Sequence, residues 1–158
     1  MNFRRANEKD IPQIHELLRQ VNLVHHIGRP DLFKKANKYT DEEIAGILKD
    51  DTRPIFAAAD DTDTMLGYAF CVHQEHPEDD NLLTPIKTLY IDDLCVDENA
   101  RGQHVGKSLY EYVINWAKEQ GYYNVTLNVW TCNESAMKFY ESVGMTPYKI
   151  GMEQILSE

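Results

Sequence analysis

The stretch from Thr88 to Lys118, TLYIDDLCVDENARGQHVGKSLYEYVINWAK, does most to limit what this chain can fold into. Its first part, Thr88 to Val96, is apolar and β-branched apart from Asp92 and Asp93, and reads as a strand. Asp97 to Gly106 carries Arg101, Gly102, Gln103, His104 and Gly106 and reads as a tight loop. From Val105 onward, Leu109, Tyr112, Val113 and Trp116 recur at helical spacing. A strand that enters a helix through such a loop leaves unpaired backbone N–H groups and the positive dipole end facing one spot. A phosphate-bearing ligand is therefore expected at Gly102 to Lys107.

The rest of the chain supplies elements on either side. Phe3 to Ala6 predicts a short strand. A helix follows from near Asp10, with Asp10 and Gln13 as a capping box, Pro12 in the first turn, and Ile11, Ile14, Leu17, Leu18, Val21 and Val24 as its apolar stripe. Gly28 and Pro30 predict that His25 to Lys38 is a loop or a broken helix. Thr40 and Glu43 form a second capping box before Ile44, Ile47 and Leu48, and that helix should stop at Asp50-Asp51. Arg53 to Ala59 and Met65 to His73 read as two strands joined by the hairpin tip DDTDT. Gly121 ends the long helix and Asn124 to Trp130 reads as a strand. Asn133 caps a helix with Ala136, Phe139, Tyr140 and Val143 inward and Gly144 at its end. Met145 to Leu156 predicts two last short strands. The order β, α, α, β, β, β, α, β, α, β, β means mixed α/β, with helices packed on a largely antiparallel sheet. The 158 residues show no repeat, low-complexity tract or linker, so one domain over residues 1–158 is expected.

Several functions can be set aside. A net charge of −10 opposes a nucleic-acid partner and suits a cationic substrate such as an amine, though acidity also serves solubility. No apolar run is long enough to span a bilayer and MNFRRANEKD has no signal-peptide core, so a cytoplasmic protein with no membrane partner is expected. Cys71, Cys95 and Cys132 form no CxxC pair and read as reduced and structural. A P-loop needs four residues between its glycines, and only three separate Gly102 from Gly106. His25, His26, His73 and His76 lack the carboxylate or cysteine spacing of a metal site, and DDTDT lacks the glycine and distal Glu of a calcium loop. No metal is expected.

Arg101-Gly102-Gln103-His104-Val105-Gly106 after a strand resembles the [Q/R]-x-x-G-x-[G/A] signature of the GNAT superfamily of N-acetyltransferases, with His104 at the internal glycine position. Asn133-x-x-Ala136-x-x-Phe139-Tyr140-x-x-x-Gly144-Met145 is similar to that family's second block, with Met145 where Phe is commoner. The resemblance runs from about Leu89 to Met145. It implies a central sheet flanked by about four helices, with a β-bulge that splays the fourth strand from its neighbour.

It also implies acetyl-CoA as cosubstrate, with Leu94, Cys95 and Val96 lying along pantetheine as strand-like backbone. Arg101, Gly102, Gln103, His104, Val105, Gly106 and Lys107 would sit at the pyrophosphate, and Asn133 near the cofactor. His104 is easy there only with ordinary dihedrals; a positive φ costs energy. Tyr140 matches the general acid that protonates the leaving thiolate, against its reading as one more apolar-face aromatic. Asp92 and Asp93 stand where a carboxylate receives the amine proton. Strand alternation puts them on opposite faces, and the resemblance favours Asp92. A backbone N–H near Leu94 would meet the oxyanion. Cys95 could suggest an acyl-cysteine, but a strand cysteine is more simply a small buried hydrophobe. Arg29, Asp31, Phe33 and Trp130 are the candidate acceptor contacts, with Arg29 and Asp31 equally readable as a surface pair. The expected activity is acetyl transfer to a primary amine of a small molecule or peptide by direct transfer in a ternary complex, with a homodimer possible by the resemblance. The alternative is an acyl-CoA-binding module of the same fold without turnover.

Overall fold

The computed structural model describes residues 1–157. Its centre is one five-stranded sheet in the order β1 (Asn2–Arg5), β2 (Ile55–Ala59), β3 (Met65–Glu75), β4 (Lys87–Val96) and β5 (Asn124–Leu127). The first four strands pair antiparallel, and β5 joins β4 in parallel. The parallel pair requires a crossover, which α3 (Val105–Glu119) supplies.

Strand alternation divides the core in two. On one face Ile55, Ala57, Tyr68 and Phe70 pack with Ile14, Leu17 and Leu18 of α1 (Ile11–Gly28) and Ile44 and Ile47 of α2 (Asp41–Leu48). On the other, Phe56, Ala58, Ala69, Cys71, Leu89 and Ile91 pack with Val105, Leu109 and Val113 of α3. Phe139 of α4 (Glu134–Ser142) and Val143, which caps its end, add to this second layer. No helix among the described residues is long and apolar enough to cross a membrane.

The first nine elements appear in the expected order, and the last two do not. Beyond Met145 no described residue is in a strand, and Tyr148, Ile150, Met152, Ile155 and Leu156 are 62–90% exposed. A strand needs an edge to pair with, and Pro147 and Gly151 break this segment into short pieces. β5 likewise ends at Leu127 rather than Trp130. At the N-terminus the capping box is Asn7 with Asp10, not Asp10 with Gln13. It opens a short 3-10 turn, Glu8–Asp10, that leads into α1. The Asp10 carboxylate is buried, accepts two hydrogen bonds from the Arg4 guanidinium, and so caps nothing in α1 itself. Helix α1 continues through His25 and His26 to Gly28. It stops where Arg29 precedes Pro30 and leaves the helical region at φ −140°.

The box at Thr40 forms as expected. The Thr40 hydroxyl accepts from the Glu43 N–H and the Glu43 carboxylate from the Thr40 N–H, both at 3.1 Å. This cap fixes where the α1–α2 connection, residues 29–40, rejoins the helical layer. Thr40→Ala should cost about 1 kcal/mol, lowering the thermal midpoint by ~2–4 °C in a scanning melt. An unchanged midpoint would mean that the cap does not hold α2.

Candidate active site

Asp93 of β4 sits opposite Phe70 of β3, while Ile91 sits opposite Cys71. Asp92 is therefore an extra residue in the strand, a β-bulge, and it resets the alternation. Before it, Leu89 and Ile91 face α3; after it, Leu94 and Val96 face that side and Cys95 packs toward α1. The expectation that Asp92 and Asp93 lie on opposite faces is thus corrected. Both carboxylates turn toward the α1–α2 side, where the Lys38 ammonium meets Asp92 at 2.9 Å and the Tyr68 hydroxyl donates to Asp93 at 2.6 Å.

The two acids are held differently. Loss of solvent pushes the Asp93 carboxyl up to about 6, against the lowering effects of the Tyr68 hydrogen bond and the Lys38 charge. Burial and the Asp93 charge hold the Tyr68 phenol well above its ordinary range, so it stays protonated and remains the donor. Burial opposes the Lys38 ammonium, but its hydrogen bond and charge pairing with Asp92 outweigh that and raise its pKa.

The bulge also marks where the sheet opens. β5 pairs with β4 only from Thr88 to Ile91, so Asp92 to Val96 has no strand partner on that side. Next comes a 3-10 turn, Glu98–Ala100, and then exposed Arg101, Gly102, Gln103 and His104. Gly102 has φ +83° and His104 φ +59°. The histidine therefore does take the left-handed backbone that favours glycine. It makes no side-chain cap for α3, whose first intrahelical bond runs from the Ser108 N–H to the His104 carbonyl. The N–H groups of Val105, Gly106 and Lys107 precede that ladder and point out of the helix end.

Helix α4 closes this corner. A Cβ on Gly106 would lie 3.4 Å from both Phe139 Cζ and Val96 Cγ2, so the end of β4, the start of α3 and the middle of α4 meet there. Tyr140 is the next residue of α4. Burial, with the Asp93 charge, raises its phenol above the ordinary tyrosine value. Cys95 is buried, donates its S–H to the Leu17 carbonyl at 3.5 Å, and is pushed up to about 12 by burial and Asp93. Such a thiol stays protonated and is a poor nucleophile. The Asn133 side chain accepts from the Ala136 N–H as the α4 cap, at 3.3 Å.

The candidate acceptor residues divide. Arg29 binds Asp31 through two hydrogen bonds of 2.8 and 2.9 Å and also pairs with Glu153, so these two charges satisfy each other at the surface. Phe33 and Trp130 do meet, edge to face at 5.0 Å, and His25 stacks on Phe33 at 5.0 Å. Burial and the Lys38 charge lower the His25 pKa. Beyond Lys38 a cavity of about 410 Å³ continues past Tyr39 to Asp41 and Glu43 at the start of α2. Two residues here have no warning in the sequence. Tyr68 looks like any strand aromatic, and Lys38 lies in a polar loop whose course the sequence does not reveal. Among the described residues no group of three or more His, Cys, Asp or Glu side chains is arranged to hold a metal.

Residues 21–145 match the family described as Acetyltransferase (GNAT) family. Human N-acetyltransferase 8B is 40% identical over 68 residues, which is 43% of this chain and 30% of that protein, so the chain spans less than a third of that relative's length. Arabidopsis thaliana glucosamine 6-phosphate N-acetyltransferase is 25% identical over 142 residues, covering 88% of this chain and 85% of the relative. The crystal structure of a mutant of the BH1408 protein from Bacillus halodurans superposes with a TM-score of 0.94 at 27% identity. That match covers 99% of this chain and all of the other.

The left-handed His104 generates one expectation. A non-glycine residue in this region costs roughly 1–2 kcal/mol, and glycine returns part of that as lost unfolded-state freedom. His104→Gly should gain about 0.5–1 kcal/mol, read as a rise of ~2 °C in the thermal midpoint. A fall would mean that the imidazole itself stabilises the turn.

Proposed function

The chain belongs to the GNAT acetyltransferase family, and from that premise we propose that it transfers an acetyl group from acetyl-CoA directly to a primary amine in a ternary complex. The observation that carries this reading is the bulge, because it turns both carboxylates to one face beside an unpaired strand edge and Tyr140. The residues fit the cosubstrate. The free side of Asp92 to Val96 offers backbone donors and acceptors to pantetheine, and the start of α3 with Arg101 and Lys107 offers N–H groups and positive charge to pyrophosphate. When bound, acetyl-CoA supplies an activated thioester.

The residues of this chain then have distinct tasks. An amine arrives as an ammonium and must lose a proton before it can attack. Asp93, at about 6, is a stronger base than an ordinary aspartate, and the protonated Tyr68 phenol fixes its orientation. This favours Asp93 over Asp92 as the proton acceptor, with Asp92 binding positive charge. A backbone N–H near Leu94 is the oxyanion donor. Tyr140 holds the proton that a departing thiolate requires. The high pKa of Cys95 speaks for direct transfer over an acyl-cysteine.

The two acids suit a cationic amine and the Phe33–Trp130 pair an apolar or aromatic body, whether small molecule or peptide. The Arabidopsis relative is named for an amino-sugar phosphate. The acid pair of this chain favours an acceptor that brings positive charge close to its reacting nitrogen.

Thiol release from acetyl-CoA should depend on added amine when tested across polyamines, aromatic amines, amino sugars and peptides. Release that is independent of every amine would overturn the reading. Tyr140→Phe should lower kcat by ~10²-fold or more with CoA affinity unchanged by calorimetry; unchanged turnover removes Tyr140 from the mechanism. Because Asp93 must be ionised to take a proton, kcat/KM should fall as pH drops through about 6. A profile that is flat across that range assigns the base elsewhere.

A further inference from the structure

Asp92 of the acid pair already holds a primary amine, and it belongs to the chain itself. Lys38 Nζ lies 2.9 Å from Asp92 Oδ2 and over the Tyr39 ring at 5.3 Å. Its backbone is pinned on both sides. The Asn22 amide donates to the Ala36 carbonyl at 3.0 Å, and Tyr39 stacks on Phe70 at 5.9 Å. Stability is a weak reason for such a pair: with the Lys38 side chain 39% exposed and that of Asp92 28% exposed, an ion pair contributes ~1 kcal/mol or less. A tethered amine at a site that binds ammonium groups has, by contrast, a very high effective concentration there.

We propose that Lys38 is itself an acetyl acceptor, modified within its own chain, and that its acetylation releases Asp92 for incoming cationic amines. This rests on the acetyltransferase reading above. The step balances without a redox change. The Lys38 ammonium gives one proton to the Asp93 carboxylate, and its Nζ bonds to the acetyl carbon as the carbon–sulfur bond breaks. The departing thiolate takes the Tyr140 proton, and the second nitrogen proton restores the phenol. Asp93 passes its proton to solvent. Lys38 becomes a neutral amide that cannot pair with Asp92, so the carboxylate is left open to the next cation. Residues 34–38 are all exposed, so the neutral amide has solvent into which it can swing.

The test is a time course of the whole protein with acetyl-CoA and no added amine, with acetylated lysines located by peptide mass spectrometry at several protein concentrations. Lys34 and Lys35, exposed in the same loop, are the internal reference for uncatalysed acetylation. Lys38 should be modified at least ~10-fold faster than either, with a rate constant independent of protein concentration. Protein held unfolded in urea at the same pH should lose that selectivity. Three results overturn the proposal: an unmodified Lys38, a Lys38 rate equal to those of Lys34 and Lys35, or a rate that rises with protein concentration. The same preparation is assayed with the amine panel. Turnover of added amines beside an unmodified Lys38 overturns this proposal and leaves the acetyltransferase reading intact. Failure of both overturns both.

Discussion

One extra residue in β4 governs this structure. Without Asp92 as a bulge, strict alternation would continue from Leu89 and Ile91, and Asp93 and Cys95 would face α3. The bulge exchanges the faces. It takes Asp93 to Tyr68, Cys95 to the carbonyl of Leu17, and Leu94 and Val96 to the α3 layer. The same point is where β5 parts from β4. A local change of backbone register therefore aims the acids and frees the strand edge at once. Neither follows from any side chain alone.

The electrostatics depend on that geometry. Two carboxylates adjacent in sequence and on one face repel each other, and each has a different remedy. Asp92 takes a cation and keeps its charge balanced, whereas Asp93 has only a neutral phenol, whose hydrogen bond does not offset the loss of solvent that raises its proton affinity. Burial, reinforced by the Asp93 charge, keeps Cys95 as a thiol and Tyr140 as a phenol.

Much of this was legible in the residues. The strand, loop and helix of Thr88 to Lys118, the Thr40 and Asn133 caps and the glycine stops are local devices, and they appear where their spacing puts them. What could not be read was non-local. A bulge is a mismatch between two strands, and nothing in IDDLCV states which residue of β3 it will miss, so period-two counting placed Asp92 and Asp93 on opposite faces. Tyr68 and Lys38 come from elements 25 and 54 residues from their acid partners. The last two strands failed for the opposite reason. Residues 146–157 have strand-like composition, but composition does not supply an edge. His104 lies between these cases: its place in the loop was clear, and its positive φ had to be seen.

The open side of β4 also bears on how such a chain diverges. What pairs along Asp92 to Val96 meets main-chain amides and carbonyls, whose identity does not change when a side chain does. The amine side, as proposed, draws on the side chains of Lys38, Phe33 and Trp130, carried by connections outside the sheet. Drift in those three can retune the choice of partner without disturbing the edge. Conservatism in one ligand and variety in the other are thus written into two different parts of the polymer, the backbone and its substituents.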